Sequence, residues 1–201
     1  LTLFPYTTLF RSESSTPLTN LYLQQIAQQY DLPQLLPFRR WGEWQREYPE
    51  VGCGLKRGFS FFHHDFCRDF SDNEKRERQL LVAASPCDEV ADTHWFRPDF
   101  DLHLIEEAQR LSVEYFDRTE LTAFCETTDA VTLRGEREGE PIEFRVGFVV
   151  DATGPRGCLF RLLGLAKRKL PSMPSTSGLF AHFRNVGAWP SAEGVPYPVE
   201  N

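Results

Sequence analysis

No run of apolar residues in this 201-residue chain approaches the ~18 that a membrane-spanning helix needs. Embedding in a bilayer is therefore not expected. Basic charge is scarce as well. Lys and Arg number 22 against 29 Asp and Glu, a formal net charge of −7. That balance argues against a nucleic-acid or acidic-membrane partner, which would need a basic face. No CxxC spacing occurs. Cys53, Cys67, Cys87, Cys125 and Cys158 are scattered and odd in number, so neither a zinc site of the usual spacing nor a disulfide framework is expected. Reduced thiols in a cytoplasmic protein are the reading that remains. What is present is ordinary globular composition: 41% hydrophobic, 13% aromatic and 25% charged residues. Disorder, collagen-like repeats and coiled coil fit such values poorly. The length suits one medium domain or two small interleaved ones.

The two ends read as cuts. Thr2–Ser12 (TLFPYTTLFRS) matches one translated frame of a common short-read sequencing adapter, so residues 1–12 are expected to be an artefact and are set aside. Val195–Asn201 stops with no terminal helix or tail, which suggests the middle of a larger protein.

Between these ends the pattern alternates. Thr16 and Pro17 form a helix start, and Leu18, Leu21, Tyr22, Ile26 and Tyr30 supply an apolar stripe for a helix over about 18–30, ended by Pro33 and Pro37. Leu55–His64 (LKRGFSFFHH) alternates as a strand, with Phe59 and Phe61 on one side and Ser60 and Phe62 on the other. Ser71–Arg78 reads as a charged loop and Gln79–Ala84 as a short strand. Arg97–Leu111 has the strongest helical spacing, through Phe100, Leu104, Ile105, Ala108 and Leu111. Short β segments follow at Val113–Phe116, Leu121–Thr127, Val131–Arg134 and Ile142–Val150, with Gly135–Pro141 turning the last pair into a hairpin. The apolar end of FRVGFVV predicts a buried strand of a parallel sheet. It leads into DATGPRG (Asp151–Gly157) and a helix over Cys158–Leu165.

Several motifs invite a chemical reading. A strand, a glycine turn and a helix aim backbone N–H groups at a phosphate, and Asp151 and Gly154 stand where open α/β sheets bind ligands. An ordinary strand–turn–helix junction fits the same residues equally well. Gly52-Cys53-Gly54 with Gly58 is no phosphate fingerprint, because it follows a polar stretch and leads into a strand rather than a helix. His63, His64 and Asp65, with Asp92, His94 and His103, lack a metal-ligand spacing, and adjacent strand histidines point to opposite faces. Lys56 stands ahead of an aromatic strand. A lysine beside an apolar pocket can lose its proton more readily and act as nucleophile or proton donor, although a lone lysine is more often solvated.

Four stretches together resemble the flavin-dependent halogenases and FAD monooxygenases of the p-hydroxybenzoate-hydroxylase-like fold. ESSTP (Glu13–Pro17) is similar to their flavin-side loop. LKRGFSFF is similar to the segment carrying their catalytic lysine, which maps onto Lys56. WFRPDFDLHLIEEAQRL is similar to their helix motif, matching Arg97, Phe100, Asp101, Leu104 and Ala108, with Ser112 where glycine is usual. VVDATGPRGCLFRLLG is similar to their second flavin-contacting motif, matching Asp151, Gly154 and Arg161.

The resemblance implies an α/β fold of mixed α+β character: an incomplete FAD-binding Rossmann-like domain interleaved with a β-sheet substrate domain. The flavin domain would take 13–40 and 96–165, and the substrate domain 41–95 and a truncated 166–201. Glu13, Ser14, Arg97, Asp151, Gly154 and Arg161 would contact FAD, reduced by a separate flavin reductase or by NAD(P)H, and Lys56 would be catalytic. The implied activity oxidises halide with O₂ through a flavin hydroperoxide and halogenates an organic, aromatic substrate. No metal, nucleic acid or membrane is implied. An FAD monooxygenase or geranylgeranyl-reductase-like enzyme without halide chemistry remains open, as does a non-catalytic ligand-binding fragment. The fragment alone is expected to be inactive.

Overall fold

The computed structural model describes residues 13–71, 75, 77–83, 85–153, 157–166 and 171–172. Residues 1–12, Gly154 and nearly all of 166–201 lie outside this set, so the expectations placed on them do not meet a structure. The described chain falls into two compact units, 13–104 and 105–172. It mixes helices with strands, and every strand pairing is antiparallel.

The first unit opens with α1 (Pro17–Gln29). Thr16 caps it, its hydroxyl accepting from the Thr19 N–H at 3.2 Å, with Pro17 at the first helical position. The helix is where the sequence predicts it, but its inward face is different. Leu18, Leu21, Tyr22, Ile26 and Tyr30 are exposed, whereas Ala27 is buried and Leu23 packs on the core. Asn20, at the same helical spacing as Leu23 and Ala27, donates to Asp92, and that bond turns the 20/23/27 face inward. Pro33 and Pro37 do not end α1. They lie in a 3₁₀ turn, Pro33–Arg39, that follows it.

Helix α2 (Trp41–Glu47) lies in a stretch expected to be strands. Arg39 and Glu43 clamp its start at 2.9 Å. Gly42 lets it approach the 3₁₀ turn Asp88–Val90, where a Cβ would run into Glu89. The core of this unit is aromatic: Phe38, Trp44, Val51 and Phe100, flanked by Tyr48 and Trp95. Phe38 stands edge-on to Trp44 and to Phe100, at centroid separations of 4.7 and 5.1 Å. The Trp44 indole N–H donates to the Val51 carbonyl at 2.8 Å, so its one polar atom is satisfied inside the core.

The expected single strand Leu55–His64 is two strands. β1 (Cys53–Lys56) pairs with β4 (Asp92–Trp95), and β2 (Gly58–Phe62) pairs with β3 (Gln79–Ala83). Arg57 is the break. Its guanidinium bonds the Asp88 carboxylate and the Ser85 and Pro86 carbonyls, so the chain turns out of one ladder and into the other. On β2 the rings of Phe59 and Phe61 stack at 6.0 Å, as alternation predicts. Helix α3 (Arg97–Arg110) begins in this unit and buries Phe100 and His103.

The second unit is a meander of β5 (Thr119–Glu126), β6 (Val131–Arg137) and β7 (Glu140–Val146), followed by the short α4 (Cys158–Leu162). The hairpin between β6 and β7 is tighter than expected. Glu138 and Gly139 form a two-residue turn, both with positive φ (54° and 87°), a turn whose twist suits antiparallel strands. Gly135 is inside β6 instead, opposite a bulge in β5, where a Cβ would strike the Glu120 carbonyl. Val113–Phe116 forms no strand. The buried parallel strand predicted for FRVGFVV is also absent: β7 ends at Val146, and Phe148 and Val150 are 82% and 72% exposed. The tight turn commits 140–146 to antiparallel pairing with β6, and no described strand pairs with 147–150.

Candidate functional site

The ladder of β1 and β4 continues into the Glu13–Thr16 loop. The Glu13 carbonyl accepts from the Trp95 N–H at 2.5 Å, Ser14 bridges His94, and the Ser15 N–H donates to the Thr93 carbonyl at 2.9 Å. Ser15 is fully enclosed, and its hydroxyl takes the Thr93 N–H at 2.9 Å. The loop is thus a third edge of a small antiparallel sheet.

Lys56 closes β1 inside this sheet, 3% exposed. Its ammonium donates to the Ser15 carbonyl and sits 4.0 Å from the centroid of the Phe59 ring. In register across the ladder stands Asp92, also 3% exposed. The Asn20 side-chain N–H donates to Asp92 Oδ1 at 2.7 Å. Asp92 Oδ2 and Asn20 Oδ1 are buried with no hydrogen-bond partner. Burial pulls the Lys56 pKa below its ordinary value, partly offset by the Asp92 charge. Burial pushes Asp92 up, against the opposing pull of Lys56 and Asn20. His94 is lowered, first by burial and then by Lys56, with Glu13 acting in the other direction. The result is a dry lysine with one carbonyl, one ring and one acid around it. Such a nitrogen can donate a proton or, once neutral, offer a lone pair.

The sequence-derived candidates separate by unit. Glu13, Ser14 and Lys56 meet around β4. Arg97 opens α3 two residues beyond Trp95 and holds Asp101 with both arms of its fork, at 2.6 and 3.1 Å. Asp151 and Arg161 are in the second unit. Asp151 accepts from the Thr153 N–H and hydroxyl and from the Leu159 N–H, while the Thr153 hydroxyl takes the Cys158 N–H. Burial works to raise Asp151, and these hydrogen bonds outweigh it and hold the carboxyl below its ordinary value. The first-turn N–H groups of α4, expected to face a phosphate, are therefore taken by Asp151 and Thr153. Arg161 is an exposed residue of α4.

Sequence reasoning missed Asn20, Ser15 and Thr93, and weighed Asp92 only as a metal ligand. No cluster of three or more His, Cys, Asp or Glu side chains suited to a metal occurs among the described residues. His63 instead contacts Asp65 at 3.3 Å, and Asp65 binds Arg78. Burial raises the Cys53 thiol to about 11, which makes it a poor nucleophile. No described helix is long and apolar enough to cross a membrane.

No family model and no curated protein matches the sequence. Solved structures do: the chain has the fold of part of the FAD-bound halogenase structures. It superposes on the halogenase PltM in complex with phloroglucinol and FAD with a TM-score of 0.64 at 20% identity, over 78% of this chain and 29% of that one. A PltM mutant in complex with FAD gives a TM-score of 0.63 at 24% identity, with the same coverage. The chain thus spans less than a third of the length of the structures it matches. At this identity the likeness is one of fold.

Proposed function

We propose that this chain is part of an FAD-dependent oxidoreductase of halogenase type, which uses O₂ and halide to halogenate an organic substrate. The observation that carries the reading is Lys56: a lysine enclosed by the Glu13–Thr16 loop, an aromatic ring and a buried acid, on a fold shared with FAD-bound halogenases.

The polar residues at the edge of β4 are the ones that could meet a bound cofactor. Glu13 and Ser14 are half-buried at the loop edge, and Arg97 adds a cation at the start of α3. These residues would hold FAD in the first unit; the flavin contacts that the resemblance implies for Asp151, Gly154 and Arg161 are part of the proposal by sequence alone. Bound FAD supplies the oxidising power, drawn from O₂ and renewed by NAD(P)H or a flavin reductase. The protein's part is placement. Lys56 presents one nitrogen in a water-poor setting, where an electrophilic halogen species or the substrate meets an N–H or a lone pair without competition from solvent. The interleaving of a flavin domain (13–40, 96–165) with a substrate domain (41–95, 166–201) belongs to the same proposal.

The test is to purify the whole protein, record its flavin absorbance, and analyse products from an aromatic substrate with and without bromide. Bound flavin and a brominated product are expected. Flavin with oxygenated product alone would move the assignment to a monooxygenase, and absence of flavin would end it.

A further inference from the structure

We infer that Asp92, held by Asn20, is a positioning residue for Lys56: the buried acid across the ladder whose charge sets when the Lys56 ammonium gives up its proton. Three observations carry this. Asp92 faces Lys56 in the β1–β4 register, and both side chains are 3% exposed. Asn20 reaches from α1 to bond one carboxylate oxygen at 2.7 Å and leaves the other buried and without a hydrogen-bond partner. The Lys56 ammonium is itself committed to a backbone carbonyl and an aromatic face, neither of which carries a compensating charge. An acid serving only to fill a core would not keep an unsatisfied oxygen in this position, since a buried unpaired polar atom is destabilising.

The other titratable groups around Lys56 are His94 on β4, whose protonation Lys56 opposes, and Glu13, which favours it. The β2 side contributes the Phe59 ring. Asp92 is therefore the acid that supports the ammonium, and the opposite directions of the Lys56 and Asp92 pKa values express the burial that this coupling resists. The catalytic consequence rests on the proposed function. The coupling itself does not, because it is a property of the folded chain.

The experiment is ¹³C NMR of the full chain with labelled lysine Cε and aspartate carboxyl carbons, titrated over pH. The chain has four lysines, Lys56, Lys75, Lys167 and Lys169, and Lys56→Met identifies the Lys56 signal. Asp92→Asn should move the Lys56 titration further below that of the other lysines. Lys56→Met should move the Asp92 titration upward, because coupling between two sites is reciprocal. In the unsubstituted chain, with both signals assigned by through-bond correlation, the Lys56 signal should show a second inflection at the pH where the Asp92 carboxyl signal itself titrates, so the coupling is also read without a variant having to fold. A Lys56 titration unmoved by Asp92→Asn, or a Lys56 signal in the unsubstituted chain that ignores Asp92, overturns the assignment. In the flavin-loaded whole protein, Asp92→Asn should shift the alkaline limb of turnover to lower pH. Failure to find flavin would sink the proposed function and leave the NMR result standing.

Discussion

The two units hold themselves together by different means. In 13–104 the stabilising residues are large and enclosed: Phe38, Trp44 and Phe100 pack ring against ring, and Lys56 and Asp92 are buried in the same unit. In 105–172 only Leu121 and Leu133 of the sheet are fully buried. The strands rely on ladder hydrogen bonds, with surface ion pairs such as Arg134–Glu143 at 2.6 Å and Arg137–Asp117 at 2.6 Å. The contrast teaches where chemistry can be placed. Burial is what lowers the Lys56 pKa, and Lys56 lies in the aromatic unit.

The contrast can be broken most readily at Trp44. Trp44→Ala removes a fully buried ring and a satisfied indole N–H, and should cost about 3–5 kcal/mol in chemical denaturation. The largest single effect in the second unit should come from Gly135→Ala, where the added Cβ meets the Glu120 backbone. A loss of about 1–3 kcal/mol is expected, with weakened β5–β6 protection in amide exchange. Thr16→Ala takes away the cap of α1 and should cost about 1 kcal/mol. The smallest effect belongs to Arg134→Ala, whose exposed ion pair should contribute less than about 1 kcal/mol and lose even that in high salt. If Arg134→Ala proved as costly as Trp44→Ala, the division between the units would fail.

Acid pH sharpens the same comparison through one residue of each unit, because Asp151 and Asp92 respond with opposite signs. Asp151 has a folded pKa below its ordinary value, so the stability it contributes is complete above about 3.8 and is lost as pH falls through the folded value. Asp92 has a folded pKa above its ordinary value. The folded state then binds the extra proton, and its contribution to stability declines as pH rises from about 3.8 through the folded value. Amide exchange followed over pH should show Asp151→Asn flattening the acid loss near α4, and Asp92→Asn flattening the opposite slope around β4.

Much of the element order was legible in the residues. Thr16-Pro17 and Arg97-Pro98 announce helices through local capping chemistry, which needs no tertiary information. Several misplaced features depend on distant partners. The inward face of α1 is chosen by Asn20 reaching Asp92, 72 positions away in the chain. The break at Arg57 is made by Ser85, Pro86 and Asp88. Helix α2 follows from Gly42 lying against Glu89. For the site, the aromatic neighbourhood left Lys56 open and the resemblance of LKRGFSFF is what points to it, whereas its surroundings were not legible: Ser15 and Asp92 join it only when the Glu13–Thr16 loop and β4 fold together with β1. The Asp151 turn shows the converse. Its pattern suggested a phosphate cradle, and the structure gives the Leu159 N–H to Asp151 and the Cys158 N–H to the Thr153 hydroxyl.

The most direct measurement compares the flavin-loaded whole protein with its Lys56→Met variant, following flavin absorbance and halogenated product in the same samples. Lys56 as the reactive nitrogen requires the absorbance to be retained while the product disappears; undiminished product from Lys56→Met would contradict the account.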